Sequence, residues 1–406
     1  MGGIVIIGAG HGGTQLAVSL REQGYKGEVH LVSADPDHPY HKPPLSKSFM
    51  KSPDVALQPL RAAQIFADND IELRLGQRVE AIDRVARQVT LTGGESLSYD
   101  RLVLATGTEA RRLTVPGADL AGVFTLRTAA DARAMREALP QVARVVVIGG
   151  GFIGLEAAAM LAGRGIAVSV VELAPRLLGR AASPALAAAV EAALTASGVR
   201  VLTGVGITAL RGAGGHVTGV ALAGEVLPAD LVIVGIGAVP VVDLARAAGL
   251  ALDNGIAVDR QLRSADPVIY ALGDCASFPG GTGRLRLESV QNATDQARAL
   301  AATLAGTPTD YVAVPWFWSD IGAMKLQIAG LAGGADEAIE CRGPEGALKS
   351  VYHLKEGRLV AVETINSAGE HMLARQMIAR GFTPPRELMR AGDARALKAA
   401  FMAAAD

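Results

Sequence analysis

Ile4-Val5-Ile6-Ile7-Gly8-Ala9-Gly10-His11-Gly12-Gly13 stands at the start of the chain, and Val145-Val146-Val147-Ile148-Gly149-Gly150-Gly151-Phe152-Ile153-Gly154 repeats its pattern. Each stretch is a β-branched apolar run, a GxGxxG spacing, and the opening of an Ala/Leu-rich helical segment. Each helical segment ends near a glycine, Gly24 or Gly165, and a second apolar strand follows, Val29 to Val32 or Ala167 to Val171. The apolar runs are continuous, which marks strands covered on both faces, and strand–turn–helix–strand is a βαβ unit. The glycines of such a turn let the backbone bend sharply, let a pyrophosphate approach, and let the helix pack close to the strand. The helix N-terminus then faces the phosphates with free N–H groups and a partial positive charge. The position after a strand and before a helix is the context that gives the spacing meaning. Gly8, Gly10 and Gly13, and Gly149, Gly151 and Gly154, are therefore candidate dinucleotide-binding residues.

An acid beyond each motif refines this. Glu172 ends the strand Val168-Ser169-Val170-Val171, 18 residues after Gly154. A carboxylate there accepts hydrogen bonds from the adenosine ribose and repels a 2′-phosphate, so the second site is expected to prefer NADH to NADPH. Arg176, four residues on, works against that preference. Asp35 is the matching acid of the first unit, 22 residues after Gly13. Two sites mean two dinucleotides, and the chemical pair is FAD with NADH as co-substrate, a hydride passing from nicotinamide to flavin. Asp274 follows the late strand Val268 to Leu272 and is placed to hold a flavin's ribityl chain if that strand returns to the first sheet. FAD is thereby assigned to the N-terminal unit and NADH to an insert.

The 406 residues suit two or three domains. The fold class expected is α/β, with two Rossmann-like dinucleotide-binding domains and a C-terminal α+β domain. The strands Leu231 to Val234 and Val268 to Leu272 carry no GxGxxG and are both expected to complete the first sheet. Residues 1–108 are then the first part of the FAD-binding domain, 109–229 the inserted NAD-binding domain, 230–310 the second part of the FAD-binding domain, and 311–406 the C-terminal domain. The last begins where Pro315-Trp316-Phe317-Trp318 holds both tryptophans, and closes with helical stretches over Ala368 to Arg380 and Ala394 to Ala404.

Composition removes several classes. Lys plus Arg is 39 and Asp plus Glu is 40, a net charge of −1, and no basic footprint exists for a general nucleic-acid binder. The two cysteines, Cys275 and Cys341, cannot build a disulfide framework, a zinc site or an iron–sulfur site, and no metal site is expected. Met1-Gly2-Gly3 runs into the apolar Ile4 to Ile7 without a basic segment, and Leu231 to Val242 is too short for a membrane span, so no membrane role and a cytoplasmic setting are expected. His11, His38 and His41 show no ligand spacing and are expected to be structural or at the surface.

Further strings carry a resemblance: Pro43-Pro44-Leu45-Ser46-Lys47, Leu104-Ala105-Thr106-Gly107, Gly154-Leu155-Glu156, Ala271-Leu272-Gly273-Asp274, Glu288-Ser289-Val290-Gln291-Asn292-Ala293 and Pro315-Trp316-Phe317-Trp318-Ser319-Asp320. With them the chain resembles, over its whole length, the FAD-dependent, NADH-using ferredoxin reductases of bacterial oxygenase systems, which have a glutathione-reductase-like fold. The resemblance implies FAD contacts at Gly12, Lys47, Val79, Arg127, Asp274 and Val290. It implies that Lys47 reaches the flavin nitrogen that takes up hydride and pairs with Glu156, expected in the first turn of its helix. It also implies that the helix end at Val290 faces the flavin's pyrimidine carbonyl, and that Trp318 lies against the flavin while Trp316 and Phe317 pack the third domain. The chain departs from the family at Ala34, where the acid falls one residue later at Asp35, and at Ile321-Gly322.

The loop from Pro36 to Lys47, where related thiol-dependent enzymes carry a cysteine, has none. Electrons on a reduced flavin must then leave to a partner, to oxygen or to a quinone. The partner implied is a 2Fe–2S ferredoxin serving a haem monooxygenase or a ring-hydroxylating dioxygenase. Such ferredoxins are acidic, and Arg61, Arg298 and Lys325 are candidates for transient electrostatic docking. The alternatives are an NADH oxidase or quinone reductase, and a redox-sensing binding protein.

Overall fold

A computed structural model describes residues 3–404 apart from 53 and 282, so the Met1-Gly2 start lies outside the described residues. The chain divides into two compact units. One comprises Met1–Lys42, Leu57–Glu109 and Ala238–Ala313; the other comprises Pro43–Ala56, Ala110–Gly237 and Val314–Asp406.

The first unit is built on a sheet of β1 (Gly3–Ile7), β2 (Val29–Val32), β3 (Ile71–Arg74), β4 (Val79–Asp83), β5 (Gln88–Leu91) and β6 (Ser96–Leu104), in the order β3-β2-β1-β6-β5-β4. Helix α1 (His11–Glu22) makes the crossover from β1 to β2, which run parallel. The strand Ile269–Ala271 pairs with β6 in parallel, as expected. Ile4, Val5, Ile6, Leu102, Val103 and Ile269 are all at most 1% exposed, which explains why these strands are apolar at every position.

In the second unit α2 (Ala129–Ala138) opens on a capping box, Thr128 accepting from Asp131 N–H while the Asp131 carboxylate accepts from Thr128 N–H. The sheet holds β7 (Arg144–Ile148), β8 (Ala167–Glu172), β9 (Arg200–Thr203) and β10 (Leu231–Val234). The order is β9-β8-β7-β10, with Val123–Phe124 beyond β10, all parallel. Helix α3 (Phe152–Ala162) follows β7, and α4 (Pro184–Ala196) starts with Pro184 behind the N-cap Ser183.

The placement of β10 corrects the sequence-based expectation. Leu231–Val234 pairs with β7, Leu231 opposite Val145, and does not join the first sheet. The physical cause is next door. The Asp230 carboxylate accepts from Ala143 N–H at 3.1 Å, Arg144 N–H at 2.9 Å and the Arg144 guanidinium at 2.7 Å, which pins the strand to the start of β7. The Arg144 hydrogen bond also holds the Asp230 carboxyl below its usual range. The inserted stretch therefore runs to Gly237, not to residue 229, and the first unit resumes at Ala238. Pro43–Ala56, assigned from sequence to the first domain, also belongs to the second unit.

The C-terminal residues form an antiparallel sheet of β11 (Trp316–Ile321), β12 (Met324–Gly330), β13 (Glu337–Arg342), β14 (Leu348–Lys355) and β15 (Arg358–Ile365), in the order β11-β12-β15-β14-β13. Helix α5 (Ala368–Ala379) lies on it, and Tyr352, Val362, Ala374 and Met377 are fully buried between them. Buried Glu370 of α5 accepts from Ser350 Oγ at 2.6 Å and Tyr352 Oη at 2.5 Å and pairs with Lys349 at 3.2 Å. A short helix, Arg386–Ala391, was not anticipated; the final one spans Ala394–Ala403.

Candidate active site

The two glycine turns are built alike. Gly8 and Gly149 adopt φ +109° and +107°, and a Cβ on either would run into a backbone oxygen, that of Ala105 or Gly235. A Cβ on Gly154 would lie 2.7 Å from the Gly149 oxygen, and one on Gly13 would strike the Gly8 oxygen, so each helix packs against its own turn. Where a phosphate would lie, both turns are open. A Cβ on Gly10 meets nothing within 4 Å, and one on Gly151 meets just the Gly235 oxygen at 3.8 Å. Gly10 and Gly151 are the N-caps of α1 and α3, and neither helix receives a side-chain cap. Open space before uncapped N–H groups fits a dinucleotide pyrophosphate at both turns.

In the first unit, the Asp35 carboxylate accepts from Tyr40 Oη at 2.9 Å and from Asp37 N–H at 3.1 Å, which fixes its direction. Gly12 is buried in the first turn of α1. Val79 turns its side chain into the core, 5% exposed, and offers a ligand only its backbone. Asp274 accepts from Thr108 Oγ1 at 3.4 Å. Just before it, Gly273 N–H donates to the buried Gln296 Oε1 at 2.7 Å, tying this turn to the helix Val290–Leu304. That helix begins at Val290, where the Ser289 side chain caps it by accepting from Asn292 N–H. Cys275 is fully buried, its thiol bonded to the Leu104 and Leu272 carbonyls and pushed up by burial, so it is a packing residue. His11 and His41 meet edge to face at 5.4 Å; burial, then the Arg61 charge, lowers the His41 pKa. Arg61 donates to Leu60 O at 2.7 Å and Gln15 Oε1 at 3.0 Å, and Arg298 pairs with Asp295 at 2.8 Å, which leaves exposed Lys325 as the less engaged of the three docking candidates.

In the second unit, Glu172 reaches back over its glycine turn. Its Oε2 accepts from Gly150 N–H at 2.6 Å and its Oε1 from Ala174 N–H at 2.7 Å, the arrangement expected of a ribose-binding carboxylate. Arg176 is committed elsewhere, donating to the Ala182 and Gly179 carbonyls at 2.9 Å each, so it does not answer Glu172. Arg127 precedes α2, its N–H bonded to Asp131 at 3.0 Å.

Lys47 and Glu156, 109 positions apart, are brought together. Lys47 Nζ lies 3.1 Å from Glu156 Oε1 and 3.0 Å from Asp320 Oδ2. Glu156 is 7% exposed and also accepts from Ser46 Oγ at 2.6 Å, Ser319 Oγ at 2.7 Å and Asp320 N–H at 3.3 Å. One buried carboxylate thus gathers the Pro-Pro-Leu-Ser-Lys segment, α3 and β11. Glu156 is the fifth residue of α3 and not in its first turn, so the helix dipole does not account for it; its side-chain donors do. Asp320, Ser46 and Ser319 were not singled out from the sequence, although each adjoins or lies within a string that was quoted. Trp318 is half-buried beside them on β11, its ring 5.5 Å from that of Trp316. Trp316 packs within the C-terminal domain under Arg375 at 4.5 Å. Phe317 departs from expectation: its ring meets Phe152, the first residue of α3, at 4.6 Å.

Among the described residues no group of three or more His, Cys, Asp or Glu is gathered as a metal site, and no helix is long and apolar enough to cross a membrane.

The model of the pyridine nucleotide-disulphide oxidoreductase family matches residues 2–297, and that of the reductase C-terminal family matches residues 316–401. Rhodocoxin reductase of Rhodococcus erythropolis is 46% identical over 93% of this chain and 89% of its own length. A rubredoxin-NAD(+) reductase of Pseudomonas putida is 42% identical over 89% of this chain and 95% of its own. The crystal structure of the ferredoxin reductase for the CYP199A2 system from Rhodopseudomonas palustris superposes with a TM-score of 0.94 at 42% identity, covering 98% of this chain and 100% of that one. The reductase in the covalent putidaredoxin reductase–putidaredoxin complex superposes with a TM-score of 0.93 at 38% identity, covering 99% and 98%.

Proposed function

This chain belongs to the pyridine nucleotide-disulphide oxidoreductase family, and we infer from that premise that it is an FAD-dependent NADH:ferredoxin reductase working in the cytoplasm. FAD and NADH, when bound, would supply the redox chemistry: hydride transfer from the nicotinamide, then release of the two electrons one at a time with the proton going to solvent. The observation that carries the reading is the Lys47–Glu156–Asp320 cluster, built on the buried Glu156 carboxylate and fed by a segment without a thiol. The Pro36–Lys47 loop offers no sulfur for an internal dithiol relay, so the electrons go outward to a partner.

Lys47 presents a fixed positive charge where negative charge grows as hydride arrives, and Glu156 and Asp320 hold it there without reorganisation. Ser46 and Ser319 keep the Glu156 carboxylate oriented. Glu172 receives the NADH ribose, and the Gly10 and Gly151 turns receive the two pyrophosphates. Asp35, Asp274, the backbone of Val79 and the Val290 helix end would hold FAD in the first unit, and the family resemblance adds Arg127 and Trp318 as flavin contacts. An acidic 2Fe–2S ferredoxin as acceptor is supported by relatives whose names give them ferredoxin-type partners.

The test is NADH-driven reduction of a panel of 2Fe–2S ferredoxins, with a rubredoxin and a quinone beside them and oxygen uptake recorded. Rapid reduction of at least one ferredoxin, with slow oxygen uptake in its absence, is expected. Fast oxygen or quinone turnover with every ferredoxin inert would replace this reading with the oxidase or quinone reductase.

A further inference from the structure

Pro43–Ala56, the segment that carries Lys47, lies in sequence between parts of the first unit and folds with the second. Its own backbone gives it little stiffness. It contains two single-turn 3₁₀ helices, Pro43–Ser46 and Ser48–Met50, and Lys47 is the joint between them, at φ −131° and ψ −106°. Short 3₁₀ turns have poor hydrogen-bond geometry and do not stand alone. Ser46 and Lys47 tie its start to Glu156, and two arginines hold the part that follows. Arg136, on α2, donates through one Nη1 to the carbonyls of Phe49 at 3.3 Å, Ser52 at 3.2 Å and Val55 at 3.0 Å, and its guanidinium lies 4.1 Å over the Phe49 ring. Arg164, just beyond α3, donates to the Met50 carbonyl at 2.7 Å. Phe49 and Met50 are themselves 2% and 0% exposed.

We propose that Arg136, seconded by Arg164, is a positioning residue for Lys47: by gripping three carbonyls after Lys47, with Arg164 holding a fourth, it sets where the ammonium meets Glu156 and Asp320. Glu156 holds the start of the segment through Ser46 Oγ and Lys47 Nζ and is itself fixed on the β11 side by Ser319 Oγ and Asp320 N–H, but it makes no contact with the turn that follows Lys47, which the arginines hold. Neither arginine meets the reacting atoms. Their effect passes through the backbone of the segment, and a fixed guanidinium fork is suited to collecting several carbonyls at once. The functional half of this inference rests on the proposed hydride transfer.

The test uses the FAD-loaded protein and two measurements, hydrogen exchange of amides 47–56 without NADH, and the limiting rate of flavin reduction with the NADH dissociation constant fitted separately. Arg136→Gln is expected to speed exchange in the segment roughly tenfold while β7 and α3 keep their protection. The limiting rate should fall roughly tenfold or more, because small displacements of a reacting constellation are costly, with NADH affinity within about twofold. Arg164→Gln should show the same signature at smaller size, and it decides the matter if Arg136→Gln does not fold. Unchanged exchange, or faster exchange with a wild-type limiting rate, would overturn the proposal. Failure of the unmodified protein to be reduced by NADH would instead overturn the hydride-transfer reading, and the exchange measurement would still judge the clamp.

Discussion

Replacing Lys47 by methionine keeps most of the side chain's length and apolar body and deletes its charge. The ammonium makes two charge-assisted contacts, 3.1 Å to Glu156 and 3.0 Å to Asp320. Such a contact is worth about 1.5–3 kcal/mol when shielded from water. The Glu156 contact qualifies, at 7% exposure; the Asp320 side chain is 40% exposed, and screening reduces its share to about 0.5–1 kcal/mol. The stability cost is then about 2–4 kcal/mol, within what the remaining donors on Glu156 can support. The kinetic cost is separate. Removing a preorganised charge from the point where negative charge develops slows the step about 10²–10³-fold, or about 2.7–4 kcal/mol of barrier. Stopped-flow reduction by NADH, followed in the flavin absorbance at saturating NADH, measures it, and flavin content checks that the cofactor is retained. Glu156→Gln is the companion variant. Its amide oxygen can keep the Ser319, Lys47 and Asp320 contacts, while Ser46 Oγ turns its hydrogen to the Pro43 carbonyl, 3.4 Å away. It should lose roughly tenfold, the difference between a charge-assisted and a neutral bond. A Lys47→Met rate within about threefold of wild type, or a Glu156→Gln rate below it, would show that the cation is not what accelerates the step.

Glu172→Ala frees Gly150 N–H and Ala174 N–H as well as the ribose, so kcat/KM for NADH should fall about tenfold, while NADPH gains little because Arg176 stays with its own loop; steady-state kinetics with both nucleotides decide this, and a large NADPH gain would refute it. Ser183→Ala removes an N-cap and the hydroxyl of the two Ser183 donors to the buried Glu363 carboxylate, for about 1–3 kcal/mol, read as a shift in urea unfolding followed by tryptophan fluorescence, since both tryptophans lie in the C-terminal domain. His371, 2% exposed, is lowered to about 4, first by burial and then by the Arg375 charge. Its folded pKa lies below the unfolded value of about 6.5, so its contribution is complete above pH 6.5 and is lost as pH falls from there toward 4, by up to about 3 kcal/mol. The same fluorescence titration on His371→Leu should show a shallower acid decline over that window; an identical slope would remove His371 as the cause.

Both glycine turns, their strands and the late return of Ile269–Ala271 were legible because tight backbone approach admits few residues other than glycine and doubly covered strands must be apolar throughout. The destination of Leu231–Val234 was not. Two sheets of the same kind offer equivalent berths to such a strand, and the choice rests on Asp230, an ordinary loop acid until Arg144 and two N–H groups are seen around it. The Lys47–Glu156 pair followed from resemblance, not from spacing. Asp320 and the two serines were hidden because a carboxylate's donors are recruited from remote strings that local pattern does not connect. Phe317 was misassigned for the same reason, since an aromatic run gives no sign of which neighbour each ring meets.

The long reach of these contacts bears on biosynthesis. Ser46 waits 110 residues for Glu156, and Lys47 waits 273 for Asp320. At about 5–20 residues per second a ribosome needs roughly 15–50 s to supply that last carboxylate. Until then the nascent lysine has Glu156 as its one carboxylate partner in the cluster, and the three-membered cluster cannot be completed on a half-made polypeptide. Premature termination anywhere upstream of β11 leaves Lys47 without Asp320 and Glu156 without its Ser319 donor.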